Sequence, residues 1–218
     1  VKVWVIGGTS GIGEACAKLL GNAGYPVAAT GSEIDVRDGK LLATYAETRG
    51  PFYGIIYSAG VNHLQWSEKL IPSAAADVYD VNVLGLVRAL QASPEVERVV
   101  VIGSDAAWRP MRTSLAYNAS KAALHAAVQC IARERAHGSF CINVVAPGLT
   151  HPTEMTDYVL SRTRETRGWE PREAWDYMIA GIPLGRPATP VEVAQVVRDV
   201  FEAPPYLNGA IIPVNGGR

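Results

Sequence analysis

Tyr117 and Lys121 stand four residues apart in Tyr117-Asn118-Ala119-Ser120-Lys121, inside a stretch patterned as a helix. Residues at i and i+4 share one helical face, so the ammonium can sit beside the phenol. A neighbouring cation favours phenolate and draws the tyrosine towards working pH, where it can exchange a proton with a substrate oxygen. A solvated lysine beside a core tyrosine is the plainer alternative. Ser104 follows an apolar run ending at Ile102, thirteen residues before Tyr117. A hydroxyl at the carboxyl edge of a sheet can donate to the same carbonyl oxygen that the phenol addresses. The chain opens on a second constellation, Gly7-Gly8-Thr9-Ser10-Gly11-Ile12-Gly13, between a strand pattern and a helix pattern. Glycines there let the backbone approach a pyrophosphate, and the helix N-terminus adds free N–H donors. A turn that merely packs helix on strand is the alternative.

These residues need a scaffold. Strand-length apolar runs fall at Val1–Ile6, Val27–Thr30, Glu33–Val36, Phe52–Tyr57, Arg98–Ile102, Phe140–Val145 and Ala210–Val214. Most are apolar at successive positions, as in parallel strands covered on both faces. Helical patterns alternate with them at Ile12–Ala23, Leu41–Arg49, Ser73–Gln91, Ser114–Ala136 and Val191–Ala203. That alternation predicts right-handed crossovers and a doubly wound α/β sheet, with ligands beyond the carboxyl ends of the strands. One connection is too short: only Gly31 and Ser32 separate the second and third strand candidates. Either the two form one bent extended stretch, or the helix between them has been lost.

The 218 residues fit one domain at about 100–200 residues each. With 48% hydrophobic residues and 20 basic against 21 acidic side chains, the chain can bury a core and carries no basic tract for nucleic acid. No apolar run is long enough to span a bilayer, and residues 1–24 lack a signal-peptide pattern. Three scattered cysteines predict reduced thiols and a cytoplasmic setting, with Cys130 and Cys141 as small buried hydrophobes. Neither His nor Cys shows metal-ligand spacing, so no metal site is expected.

The ordered set resembles the short-chain dehydrogenase/reductase family over essentially the whole chain. The pieces that carry it are Gly7-(x3)-Gly11-Ile12-Gly13, Asp35-Val36, Ser58-Ala59-Gly60, Asn82, Ser104, Tyr117-(x3)-Lys121, Pro147-Gly148 and Asn215-Gly216-Gly217. Ile182-Pro183-Leu184-Gly185-Arg186-Pro187 resembles the 3-oxoacyl-carrier-protein-reductase-like branch. The resemblance implies a single Rossmann domain over residues 1–218, with a mainly parallel seven-stranded sheet whose helix between the second and third strands is reduced or missing. It implies an oxidoreductase that interconverts a carbonyl and a secondary alcohol with a nicotinamide cofactor. Tyr117 would be the general acid/base, with Lys121 depressing its pKa and holding the nicotinamide ribose. Ser104 would polarise the carbonyl and Asn82 would anchor a proton-relay water. Gly7, Gly11, Ile12 and Gly13 would cradle the pyrophosphate, with Thr9 and Ser10 of the same loop also among the cofactor-binding residues. Asp35 and Val36 would meet the adenine, Ser58, Ala59 and Gly60 would pass the adenosine ribose, and Pro147, Gly148 and Thr150 would flank the nicotinamide. Three positions depart from the family's habit: Ile6 before the glycines, Tyr57-Ser58 before Ala-Gly, and Asn215 before the closing glycines.

Gly31 occupies the position where NAD-using relatives commonly carry Asp, and Thr30 and Ser32 offer hydroxyls, with Arg37 nearby. NADP is therefore the expected cofactor, although Glu33 stands close and Ser10 replaces a frequent basic residue. Residues 149–189 are expected to form a substrate loop or lid, whose aromatics either line an apolar substrate cleft or pack the lid's own helices or a subunit contact. Within that segment Arg162, Arg164 and Arg167 either attract an acidic substrate or line a solvated helix face. The alanines around Tyr117, with the resemblance, imply a homotetramer or homodimer. A non-catalytic, cofactor-sensing protein is the competing class. A sugar-nucleotide epimerase would need a larger substrate region than follows Val145.

Overall fold

The computed structural model describes residues 1–136 and 138–218. Six parallel strands run β1 (Val3–Ile6), β2 (Val27–Thr30), β3 (Gly54–Tyr57), β4 (Arg98–Ile102), β5 (Cys141–Pro147) and β6 (Ile211–Val214), in the spatial order β2-β1-β3-β4-β5-β6. Strand order reverses between β1 and β3, which opens a crevice at their carboxyl ends. The side chains of β1 alternate between two cores. Trp4 and Ile6 join Leu42, Leu86 and Leu124 on one face, while Val3 and Val5 join Leu20, Val197 and Phe201 on the other. Helices therefore cover both faces: α2 (Gly39–Arg49), α4 (Gly85–Ala92) and α5 (Leu115–Glu134) on the first, α1 (Gly11–Asn22) and α8 (Pro190–Glu202) on the second. A Thr189–Glu192 capping box and Pro190 in the first turn start α8.

Among the described residues the sheet has six strands where the sequence predicts seven. Glu33–Val36 is not a strand but a turn, closed by Ile34 N–H donating to the Gly31 carbonyl at 3.2 Å. Two linking residues cannot return the chain to a parallel neighbour, so the helix is lost and its strand goes with it. Val36 folds under instead and is 5% exposed in the core, which leaves β2 at the sheet edge. Cys130 is exposed, not buried; it lies on the outer side of α5.

Two interruptions matter for the site. The predicted helix 73–91 is seen as α3 (Pro72–Tyr79) and α4 joined by a π-helical turn, Asp80–Leu84, and such turns are common at functional sites. Residues 149–189 contain α6 (Glu154–Arg167) and α7 (Pro171–Ala180). The neck of this segment is pinned where Thr150 bridges Ala188, with His151 N–H on the Ala188 carbonyl at 2.9 Å.

Candidate active site

One cavity of about 520 Å³ lies at the carboxyl ends of β1, β3, β4 and β5. Its wall contains Gly7, Ser10, Gly11 and Ile12 from the first loop, Ser58, Ala59 and Gly60 after β3, Ser104 after β4, and Tyr117 and Lys121 on α5. Pro147, Gly148 and Thr150 complete it from β5. Sheet bonds carried past the strand ends hold these loops in step: Gly8 N–H donates to Thr30, Ser58 to Ile6, Gly103 to Val145 and Gly148 to Val214.

The glycine loop fits a close-packed backbone. Gly7 has φ +76°, and a Cβ there would stand 2.6 Å from the Ala59 nitrogen. A Cβ on Gly13 would stand 1.9 Å from the Gly7 carbonyl oxygen, so α1 begins hard against the loop. Ser10 caps α1 in extended conformation without a side-chain cap bond. That leaves N–H groups at the helix start for an anion.

Tyr117 is half-buried and lies on the same helical face as Lys121, whose Nζ is 5.8 Å from the phenol ring centre. Lys121 is 4% exposed, donates to the Ile102 carbonyl at 2.8 Å, and has its pKa lowered by burial to about 8. Burial pushes the Tyr117 phenol up, a hydrogen bond with the Ser104 hydroxyl opposes this, and the Asp105 carboxylate adds to the rise. The expected depression of the phenol by Lys121 is thus absent from the protein alone. The Lys121 ammonium is directed at the Ile102 carbonyl of β4, and burial is the largest influence on the phenol.

Asn82 sits in the π turn and is completely buried. Its Oδ1 accepts from Val61 N–H at 2.8 Å, and its Nδ2 donates to the Val61 carbonyl at 3.0 Å and to Ser120 Oγ at 2.9 Å. The side chain therefore clips the loop after β3 to α5. Tyr57 explains one departure from the family's habit. Its buried hydroxyl donates to the Val81 carbonyl at 2.6 Å and ties β3 to that turn.

The adenosine end differs from expectation. Thr30 is 2% exposed, and its hydroxyl accepts from Trp4 Nε1 at 3.0 Å, so it belongs to the core. Val36 is likewise a core residue. Asp35 holds the Arg37 guanidinium at 2.7 Å, and this pairing keeps the Asp35 carboxyl below its ordinary range. Ser32 is exposed, and Gly31 is crowded: a Cβ there would meet Thr9 Oγ1 at 2.3 Å and Glu33 Oε2 at 2.8 Å. Glu33 accepts the Gly31 N–H at 2.7 Å.

In the 149–189 segment Met155, Tyr158 and Met178 face the cavity. Trp175 packs edge-on to His151, and Trp169 against Tyr177. Arg162 pairs with Glu165, Arg164 with Glu170, and Arg167 donates to Thr113 Oγ1 at 2.9 Å. Arg162 and Arg164 thus serve the segment's own contacts, while Arg167 ties the segment to the loop before α5. Trp66 lines a separate surface groove and donates to the Thr166 carbonyl at 2.6 Å.

Sequence reasoning misses His125. It lies one turn beyond Lys121, is 5% exposed, accepts the Ser104 N–H on Nε2 at 3.4 Å, and occupies the space where Gly103 lacks a side chain. A histidine on the lysine face of the same helix is the signal that could have revealed it. Burial, then the Lys121 charge, lowers its pKa from 6.5 to about 4. Between those values the unfolded chain binds a proton that the folded chain refuses, so stability falls as pH drops from 6.5 towards 4. His125→Gln keeps an acceptor without titrating, and melting temperatures across that range should then depend less steeply on pH than in the parent. Equal slopes would remove His125 from the acid response.

Similarity to known proteins follows this geometry. A family model described as short chain dehydrogenase matches residues 39–164. The 3-oxoacyl-[acyl-carrier-protein] reductase MabA of Mycobacterium tuberculosis is 31% identical over 99% of this chain and 92% of its own. The chain belongs to the short-chain dehydrogenase family. A rat relative, also a 3-oxoacyl-[acyl-carrier-protein] reductase, is 28% identical over 98% of this chain and 95% of its own. Among solved structures, a single-residue variant of actinorhodin polyketide ketoreductase with NADPH superposes with a TM-score of 0.88 at 26% identity, covering 99% of this chain and 95% of that one. This short-chain dehydrogenase is therefore an NAD(P)-dependent oxidoreductase of the 3-oxoacyl-carrier-protein-reductase-like branch.

Proposed function

We propose that the protein reduces a carbonyl to a secondary alcohol, and reverses that reaction, with Tyr117 as the proton-exchanging group and NADP as cofactor. The observation that carries this reading is the one cavity shared by the glycine loop and by Ser104, Tyr117 and Lys121. NADP when bound supplies or accepts the hydride. The tight Gly7–Gly13 approach suits a pyrophosphate on the α1 N-terminus, and Ser58, Ala59 and Gly60 stand beside it for the ribose. Ser104 Oγ donates a hydrogen bond to the carbonyl oxygen, and Tyr117 Oη delivers the proton. A phenol raised by burial holds its proton at neutral pH, which suits the reductive direction. Lys121 keeps N–H donors beyond the one on Ile102 for the nicotinamide ribose. Asn82 holds the loop that carries Val61 in register with α5.

The NADPH-bound ketoreductase supports the choice of NADP. Glu33 works against it, because its carboxylate stands at the β2 end, where a dinucleotide's ribose hydroxyls are read. Glu33→Gln is expected to raise the NADP-to-NAD ratio of kcat/KM about tenfold, about 1.4 kcal/mol of removed repulsion, and less at high salt. An unchanged ratio would place the phosphate away from Glu33.

A homodimer or homotetramer is supported by α5, where Leu115, Ala122 and Ala126 are exposed on a helix of small residues. Sedimentation at micromolar concentration should show more than one copy. Unpaired Cys16, Cys130 and Cys141 suit a reducing, cytoplasmic compartment. A panel of β-ketoacyl, steroid, sugar and small ketones, followed by NADPH absorbance, tests the activity. Turnover of none of them would favour a cofactor-sensing role.

A further inference from the structure

The cavity beside Ser104 holds a polar group left without a partner among the described residues. Asp105 opens the short 3-10 turn Asp105–Ala107, is 5% exposed, and its Oδ2 is buried with no hydrogen-bond partner among the described residues. Buried carboxylates are almost always paired, and an unpaired one is costly to fold around. Burial pushes this carboxyl up, and only the fields of Arg218 and Arg109 pull it down. The side chain lines the same cavity as Ser104, Tyr117 and Lys121. Its Oδ2 lies 3.2 Å from where a Cβ on Gly148 would stand, so the carboxylate packs against the neighbouring loop after β5 at the cavity wall. Asp105 directly follows Ser104, and its carboxylate is near enough to Tyr117 to act on the phenol that addresses the carbonyl oxygen.

We propose that Asp105 recognises substrate by accepting a hydrogen bond from a hydroxyl on the carbon next to the reacting one, which makes α-hydroxy ketones and vicinal diols the favoured substrate class. This rests on the carbonyl–alcohol reading above. A neutral hydroxyl fits better than an ammonium, because Lys121 and Arg218 line the same space and repel a cation. Selectivity follows from the unpaired state: a substrate without the donor leaves the carboxylate buried and unsatisfied in the complex.

Matched pairs test it with NADPH: acetoin against butanone, α-hydroxycyclohexanone against cyclohexanone, α-hydroxyacetophenone against acetophenone. The wild type should prefer the hydroxylated member by at least about tenfold in kcat/KM. Asp105→Ala should bring that ratio to within about threefold of unity, with Asp105→Asn between the two. Asp105→Asn should also melt no lower than the parent, since the carboxylate has no protein hydrogen bond to lose at Oδ2. Equal turnover of both members by the wild type, or a preference that survives Asp105→Ala, overturns the assignment of Asp105 while the reductase reading stands. Reduction of no ketone in any pair brings down the reductase reading and this inference with it.

Discussion

Replacing Tyr117 by Phe is expected to lower kcat about 10²–10⁴-fold while NADPH still binds. The ring stays on α5 and only the hydroxyl is lost, so the half-buried side chain keeps its packing. The acidic or basic limb that the phenol contributes to the kcat profile should vanish with it. Steady-state turnover and an NADPH fluorescence titration on the same sample separate the two effects. Retained turnover would assign the proton to another group.

Gly13→Ala is expected to be nearly as damaging, by a different route. Alanine is favoured over glycine in a helix by about 1 kcal/mol, so propensity alone predicts a more stable protein. The Cβ, however, would stand 1.9 Å from the Gly7 carbonyl oxygen, with backbone and not a pliant side chain as its neighbour. Overpacking of this kind costs about 1–3 kcal/mol, which outweighs the propensity gain. The loop has to move, and a displacement of about 1 Å at a positioning group costs about 10²-fold. A fall of about 10²-fold in kcat/KM for NADPH, with a lower melting temperature, is therefore the expected result. Gly21, in the same helix and with nothing within 4 Å of a Cβ, is the control: Gly21→Ala should leave kcat/KM near the parent and melt no lower.

What is legible in the sequence is local. The glycine spacing, the Tyr117–Lys121 interval and Ser104 after an apolar strand are read within a few residues, and they converge on one cavity. Glu33-Ile34-Asp35-Val36 has the alternation of an edge strand and so invites a seventh strand. Only the missing crossover, a tertiary constraint, denies it a partner. Thr30 and Val36 stand where cofactor contacts are expected, yet their side chains turn to Trp4 and to the core. Strand periodicity gives alternate faces but not which face is a site. The π turn at Asn82 is illegible because propensity does not report an i to i+5 bond. Glu33, Asp105 and His125 act through neighbours distant in sequence or through a side chain folded back on its own strand end. Cys130 has an apolar side chain, and α5 simply carries it on its outer side.

Deuterium transfer tests the central account most directly. With NADPH carrying deuterium at both positions of the reactive nicotinamide carbon and a ketone or 3-oxoacyl thioester as acceptor, the wild-type protein should place one deuterium on the carbinol carbon of the product, read by mass spectrometry. Tyr117→Phe should bind the labelled cofactor and transfer almost none. Consumption of NADPH without label in any alcohol, or equal transfer by the two proteins, would contradict a shared cavity in which Ser104, Tyr117 and Lys121 carry out carbonyl reduction.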